Sequence, residues 1–363
     1  MKICFVGPAN SSHIVKWSRW FSSHGHEVHV VSFQEGEVPG AEVHLVRSKA
    51  SAVGSDLNKL LYLLGAGKVK KAVKSIAPDV INVHYATSYG TVMALTGLKD
   101  YTLSVWGSDI YDFPNKSPLH RRLLSFSLRK AKYLFSTSEA MAKEAGKYTD
   151  KPFAITPFGV DMELFSPSKR NRDEDGRFVI GIVKLIEDLY GIDYMLKAAA
   201  ILHSEHPEIP LGVRICGYGT KEEEYQQLAK QLGIGDLTVF TGRIPQTEAA
   251  VEWANMDVAV IPSVHHESFG VAAVEAQACE TPVIVSDVGG LTEVTEPGKT
   301  SIVVPTKNEQ AIVDALVRLF RDPALREEMG IAGRQRVLEK YELDTCFTKI
   351  ESLYFKQINE GNC

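Results

Sequence analysis

The stretch HHESFGVAAVE, residues 265–275, carries two carboxylates, Glu267 and Glu275, on either side of a Phe-Gly step. The run before it, VAVIPS (258–263), reads as a strand, and the run VAAVEAQA after it reads as a helix. Glu267 therefore falls in a loop at a strand's carboxyl end. Ser268, Phe269, Gly270 and Val271 form the start of the helix, where unsatisfied backbone N–H groups and the positive end of the dipole attract an anion. Gly270, with no Cβ, lets a phosphate come close to the backbone. Glu275 lies about one turn further in, suited to accept hydrogen bonds from neutral hydroxyls rather than to touch that phosphate. Glutamates are common on surfaces, and such a pair alone would mean little. A carboxylate at each end of a phosphate seat, however, matches a sugar–diphosphate–nucleoside. Eight helical steps of about 100° would leave the two roughly 80° apart, so they do not share a helical face.

These residues need a scaffold, and the chain alternates strand and helix patterns throughout. Strands are predicted at 2–7, 26–33, 79–84, 101–107, 133–138 and 153–159, with a helix over 13–25 and further helical patterns between them. SPSKRNRDEDGR (166–177) is polar and reads as a linker. The alternation then restarts, with strands at 178–185, 211–217, 237–242, 258–263, 281–287 and 301–305 and a helix over about 192–203. Helical segments at 324–341 and 347–358 close the chain. Such alternation implies parallel, doubly wound sheets with ligands at the strands' carboxyl ends. The 363 residues suit two α/β domains separated by a cleft rather than one core.

Composition is that of a globular protein, 44% hydrophobic and 23% charged, and no window approaches the roughly 18 apolar residues of a membrane span. The start, MKICFVGPANSS, reads as a core strand rather than a signal peptide. Five scattered cysteines, Cys4, Cys216, Cys279, Cys346 and Cys363, point to a reducing, cytoplasmic setting. The net charge of −5 divides into +6 over residues 1–167 and −11 over 168–363. The basic half concentrates its charge in 59–76 and 120–135, where Lys and Arg mix with Leu, Tyr and Phe. Two readings stay open: helices lying on an anionic membrane face, or sheet-packed helices with solvated basic faces. His265 and His266 lack a third ligand at metal spacing. Neither a dinucleotide fingerprint, a nucleophile elbow nor a P-loop is present, which disfavours a dehydrogenase or hydrolase.

PSVHHESFGVAAVEAQACETPVIVSDVGGLTEV (262–294) resembles the signature of the retaining glycosyltransferases of family GT4, with its E-x7-E motif and GT-B fold. The matching residues are Pro262-Ser263, Glu267, Phe269-Gly270, Glu275-Ala276, Pro282-Val283, Gly289-Gly290 and Glu293. PFGVDMELFSP (157–167), ICGYGT (215–220), VFTGRIP (239–245) and PDVINVH (78–84) resemble further family segments, with Phe158 where Asn is usual. The resemblance implies two Rossmann-like domains over 1–165 and 178–345, joined by the linker 166–177. A C-terminal helix over 346–363 is expected to return to the N-terminal domain.

By the same resemblance, Glu267 meets hydroxyls of the donor sugar and the amides of Ser268 to Val271 meet the diphosphate. Glu275 meets the ribose, Gly217 lies in the donor loop, and the base lies near Arg243 and Ile244. Lys184 and Glu267 are the catalytic candidates. The leaving diphosphate would deprotonate the acceptor hydroxyl, with no metal, no cofactor and no protein nucleophile. The family usually pairs an Arg with a Lys five residues later; this chain has Lys184 and then Leu189, or Tyr190 with a shifted gap. Transfer of a hexose or N-acetylhexosamine is expected, from a UDP- rather than a GDP-sugar, in surface polysaccharide or lipid-linked glycan assembly. The alternative is a nucleotide-sugar-binding protein whose catalysis has weakened. The first domain would hold a glycan or lipid-linked acceptor at the inner membrane face, and no nucleic acid is expected. Its candidate contacts are Gly7 and His13 in the loop VGPANSSHI, His84 after the third strand, and Trp106 and Asp109 in SVWGSD. Trp106 stands where many relatives carry a His.

Overall fold

The computed structural model describes residues 1–47, 62–171 and 176–361. The chain divides into two compact units, Met1–Pro157 with Cys346–Cys363, and Phe158–Thr345.

The first unit is built on β1 (Lys2–Val6), β2 (Glu27–Ser32), β3 (Glu42–Leu45), β4 (Val80–His84), β5 (Thr102–Ser104), β6 (Tyr133–Ser136) and β7 (Phe153–Ile155). Their spatial order is β3-β2-β1-β4-β5-β6-β7, every pairing parallel. β1 is buried from Ile3 to Val6, because apolar and β-branched residues let a central strand be covered on both faces. The first helix, Ser12–Ser23, starts where the Ser11 side chain accepts a hydrogen bond from the His13 N–H at 3.2 Å. It turns Ile14, Trp17, Trp20 and Phe21 inward. Strand order reverses between β1 and β4, so the loops after these two strands diverge and leave a crevice at their carboxyl ends.

The second unit repeats this plan with β8 (Phe178–Val183), β9 (Leu211–Cys216), β10 (Thr238–Phe240), β11 (Val258–Ile261), β12 (Val283–Ser286) and β13 (Ser301–Val304). The order is β10-β9-β8-β11-β12-β13, again all parallel. Here the reversal lies between β8 and β11, which pair at Val258↔Ile180 and Ala259↔Gly181.

Several boundaries differ from the sequence reading. The first unit ends at Pro157, not at residue 165, because Phe158, Val160 and Phe165 are buried in the second. Phe158 packs edge-on against Phe269 at 5.9 Å, and the Val160 N–H donates to the Tyr341 carbonyl at 2.8 Å. The expected linker is likewise partly docked. Arg170 Nε donates to the Ala254 carbonyl at 3.0 Å, and the Asn171 N–H to Asn255 Oδ1 at 2.7 Å; residues 172–175 lie outside the described residues. From Cys346 onward the helix Leu343–Gly361 belongs to the first unit. There Phe347 packs on Trp17 at 5.3 Å, and Tyr354 Oη accepts from Asn82 Nδ2 at 2.6 Å.

The sequence reading misses β3, a four-residue strand too short for its period to register. The basic stretch 120–135 is not one element: the helix Pro118–Lys130 ends, and Tyr133 already opens β6. Of 59–76, residues 59–61 lie outside the described residues and Ala66–Ile76 is helical. Among the described residues no helix is long and apolar enough to cross a membrane.

Candidate functional site

In the second unit, β8 delivers Lys184 and β11 delivers the loop holding Glu267, so the strand reversal itself sets these two side by side. Lys184 Nζ donates to Glu267 Oε1 at 2.7 Å, and Ser263 Oγ donates to the same oxygen at 3.2 Å. Side-chain exposure is 15% for Lys184 and 9% for Glu267, so the pair is largely desolvated. Burial pulls the Lys184 ammonium toward deprotonation, but the Glu267 carboxylate, with smaller help from Tyr190 and Glu275, outweighs it and raises the pKa. Lys184 is a cation at any ordinary pH.

At residues 189 and 190, where the resemblance leads one to expect a second cation, the chain places an apolar and an aromatic side chain. Tyr190, in the short 3-10 turn Asp188–Tyr190, presents its ring to the ammonium with Nζ 4.4 Å from the ring centre. Leu189 is exposed, and its carbonyl accepts from the Val264 N–H at 3.0 Å. A cation–π contact thus stands beside Lys184, where the sequence resemblance leads one to expect a second cation at residue 189 or 190.

The loop after β11 is held by its neighbours through glycines. A Cβ on Gly289 would lie 2.2 Å from the Glu267 carbonyl oxygen, and one on Gly290 2.7 Å from the Phe269 carbonyl oxygen. The Gly290 N–H donates to the Glu267 carbonyl at 2.8 Å. Gly270, the cap of the helix Val271–Ala278, has φ +96°, a conformation that L side chains rarely adopt. Phe269 is buried, edge-on to Tyr341 at 5.5 Å, so its side chain anchors the loop and leaves only its backbone for a ligand. Ser268 and Val271 are half-buried beside it. Glu275 sits on the second turn, half-buried, where the buried Trp253 indole donates to its Oε2 at 3.4 Å. His265 and His266 are exposed on the same loop.

The loops after β9 and β10 close on the same strand ends. Gly217, φ +146°, lies so near the Lys184 carbonyl oxygen that a Cβ would reach 1.9 Å from it. Its N–H donates to the Gly242 carbonyl at 3.0 Å. Beyond this bridge the exposed Arg243 guanidinium lies 5.1 Å from the Tyr218 ring centre, with Ile244 half-buried next to it. Lys184, Glu267, Ser263, the Gly270 helix start, Glu275 and the Gly217 loop thus share the carboxyl edge of one sheet. Ser263, Tyr190 and Trp253 are the members that sequence reasoning left out of the site. Ser263 was visible in the Pro-Ser step, whereas nothing local marks Trp253 or the pose of Tyr190.

The first unit corrects three of its five candidates. His84 is fully buried, edge-on to Phe5 and Trp17 at 5.4 and 4.8 Å and tilted against Trp106 at 5.4 Å, so it is a core residue. Neither of its ring nitrogens has a hydrogen-bond partner among the described residues, and burial lowers its pKa to about 3. Asp109 is also fully buried. It accepts backbone N–H groups of Ala86, Trp106 and Gly107 at 2.8, 3.1 and 2.8 Å, so it braces the loop after β5 instead of binding substrate. Burial raises its pKa against those donors. Gly7 is buried, with its N–H given to the Val31 carbonyl at 3.1 Å; a Cβ there would crowd Ile14 at 3.0 Å.

His13 and Trp106 remain at the surface of this crevice. Both are half-buried and meet edge-on at 5.3 Å, and burial followed by Lys16 lowers the His13 pKa to about 4. Tyr85, which sequence reasoning missed, follows β4 with φ +79°, a strained backbone for a residue with a side chain. Its hydroxyl lies 2.7 Å from Ser108 Oγ and its ring 6.4 Å from that of Trp106.

Comparison with known proteins accounts for nearly the whole chain. The family described as glycosyl transferases group 1 matches residues 166–336, and the glycosyl transferase 4-like family matches 2–138. D-inositol 3-phosphate glycosyltransferase of Arthrobacter sp. (strain FB24) is 36% identical over 187 residues, covering 49% of this chain and 44% of that protein. The chain thus spans somewhat under half the length of the curated relatives it matches. Sucrose-phosphate synthase from Thermosynechococcus elongatus superimposes with a TM-score of 0.84 at 19% identity, over 99% of this chain and 100% of that one. Anabaena HepE, solved with UDP and also with UDP-glucose, gives 0.79 and 0.78 respectively, each at 16% identity over 98% of this chain and 100% of that one. Identities this low speak for the fold only. With both halves matched and two parallel-sheet Rossmann-like domains in the structure, the chain belongs to the GT4-type glycosyltransferases of GT-B fold.

Proposed function

We propose that the protein transfers a sugar, with retention of anomeric configuration, from a UDP-linked donor to a hydroxyl of a glycan or lipid-linked acceptor in surface-polysaccharide assembly. The observation that carries this reading is the Lys184–Glu267 pair set at the β8/β11 reversal beside the Gly270 helix start. In the reaction the bond from C1 to the diphosphate oxygen breaks and the bond from C1 to the acceptor oxygen forms on the same face. The acceptor proton passes to the leaving phosphate oxygen. The protein's task is to stabilise the charge gathering on that diphosphate. Lys184 has donor capacity beyond its bond to Glu267, and the amides around Ser268 to Val271 add a dipole of fixed direction. Glu267 orients Lys184 and accepts sugar hydroxyls, Glu275 accepts the ribose hydroxyls, and the Tyr218–Arg243 stack with Ile244 bounds the base. In the first unit His13, Trp106 and Tyr85 line the acceptor crevice.

Two experiments test this. Purified chain is offered a panel of UDP- and GDP-sugars with thermal shift as the readout, and donor hydrolysis or transfer is followed by NMR at the anomeric carbon. Retention predicts an α-product from an α-donor. An inverted product overturns the stereochemistry, and failure to bind any nucleotide sugar overturns the whole reading. Glu275→Ala is expected to weaken UDP binding ten- to a hundredfold, the value of hydrogen bonds to a charged group; unchanged affinity by calorimetry removes Glu275 from the ribose.

A second reading has one observation in its favour, the Tyr190 ring where relatives place a cation. On that reading the chain binds nucleotide sugars without useful turnover. Donor hydrolysis that Lys184→Ala abolishes supports the enzyme; tight binding with no turnover supports the binder.

The same proposal places the protein on an anionic membrane face through the helix Pro118–Lys130. Arg121, Arg122, Arg129, Lys130 and Lys147 line a surface groove of about 980 Å³ there, with Glu144 the one acid among its lining residues. Sedimentation with phosphatidylserine vesicles should fall steeply between 50 and 500 mM salt, values on the order set by Debye screening. Binding that is absent or indifferent to salt removes this assignment.

A further inference from the structure

We propose that His29, Glu42 and His44, on the β2–β3 edge of the first sheet, bind one divalent ion of the zinc class. Glu42 and His44 stand two residues apart on β3 and so point to one face. In the parallel register His29 lies opposite Glu42, which puts all three side chains on that face. His29 Nδ1 is 3.0 Å from His44 Nε2 and 3.5 Å from Glu42 Oε2, and His44 Nε2 is 3.6 Å from Glu42 Oε1. Bonds of about 2.0–2.2 Å to a tetrahedral zinc would hold neighbouring ligand atoms roughly 3.3–3.6 Å apart, so little side-chain movement is needed.

The surroundings fit the same ion. His29 Nε2 lies 2.9 Å from Glu27 Oε1, and Lys2 Nζ is 3.1 Å from that same oxygen. A carboxylate only accepts, so Nε2 carries the proton and Nδ1 keeps the lone pair a metal needs. This is the carboxylate–histidine arrangement found behind metal ligands. His29 is buried, the His44 side chain is 27% exposed and that of Glu42 69%, so water can reach the fourth position. Two imidazoles and one carboxylate favour zinc over calcium or magnesium. Among the described residues β3 is an edge strand of four residues paired on one side only, and an ion held by residues of both strands would clip it to β2.

The competing account is a plain hydrogen bond from His44 Nε2–H to His29 Nδ1, and the test separates the two. Full-length chain without a histidine tag is stripped with chelator and titrated with ZnCl2 by calorimetry, with the bound metal counted by elemental analysis. One ion per chain is expected. Affinity should drop at least a hundredfold in both His44→Ala and His44→Gln, and ten- to a hundredfold in Glu27→Gln, which touches no ion. Co2+ in place of Zn2+ should give the visible bands of a tetrahedral site, absent in His44→Ala. His44 is partly exposed on an edge strand, so a far-UV spectrum identical to that of the parent chain shows that loss of binding is not loss of fold. No zinc binding, or zinc binding untouched by the His44 and Glu27 substitutions, overturns the proposal.

Discussion

Lys184→Ala is expected to lower sugar transfer, measured as kcat/KM for the preferred UDP-sugar, by roughly two to three orders of magnitude. Removing one preorganised donor from a site that stabilises developing charge typically costs that much. Among the described residues Lys184 is the one cation bonded to Glu267, and Tyr190 cannot take over, since its ring carries no charge of its own. Lys184→Arg should recover part of the rate, because a guanidinium keeps the charge but must fit beside the Tyr190 ring. The substitution also touches stability. Alanine leaves Glu267 with Ser263 as its remaining side-chain partner among the described residues, in a site where the carboxylate is 9% exposed. The cost should fall below the roughly 3–5 kcal/mol of breaking a fully buried pair, because both groups keep some solvent access. Glu267→Ala should be non-additive with Lys184→Ala in a double-mutant cycle, since each exposes the other's charge. The raised Lys184 pKa adds a sign. Its stabilisation is complete below the unfolded lysine value near 10.4 and fades only as pH rises through the still higher folded value. The acid limb of any rate profile therefore belongs to another group. Near-normal turnover by Lys184→Ala would remove Lys184 from the diphosphate.

The second large effect is acid sensitivity of the first unit. His84 has a folded pKa of about 3 against an unfolded value near 6.5, because burial disfavours the imidazolium and the neighbouring His13 repels it. The unfolded chain thus binds a proton that the folded chain refuses, and stability is full above about pH 6.5. It is lost as pH falls from there toward the folded pKa. Each pH unit in that window costs about 1.4 kcal/mol, so His84 contributes about 3 kcal/mol of destabilisation by pH 4. His13, with a folded pKa of about 4, adds a smaller loss of the same sign. His84→Leu keeps similar volume, removes two ring nitrogens that have no partner among the described residues, and cannot take up a proton. It should match or exceed the parent's stability at pH 7 and clearly exceed it at pH 5, with a flatter pH dependence in urea melts. A slope unchanged by the substitution would show that His84 does not set the acid limit.

Legibility was uneven, and the reasons are particular. The Glu267–Glu275 spacing could be read because a strand end, a Phe-Gly step and a helix start are local patterns. The glycine pairs were visible as motifs, but their purpose was not. That Gly217 makes room for the Lys184 carbonyl, and Gly289 for that of Glu267, depends on segments distant in sequence lying in contact. The acceptor candidates were misjudged for a related reason. His84, Asp109 and Gly7 do stand at strand ends, where ligands bind in such sheets, but a position along the chain does not say which way a side chain turns. Trp106 closes over His84, and Asp109 folds back onto the loop amides.

The sequence by itself determined the alternation of strand and helix, the division into two α/β units, and the helix start at Gly270, because hydrophobic period, glycine and helix start are properties of neighbouring residues. The tertiary structure decided that β11 lies against β8, and so that Lys184 meets Glu267 across 83 residues of chain. It also decided that Tyr190 meets the lysine, and which histidines face solvent and which the core. Strand order and side-chain direction arise from how distant segments share one buried interior, and no local pattern carries that information.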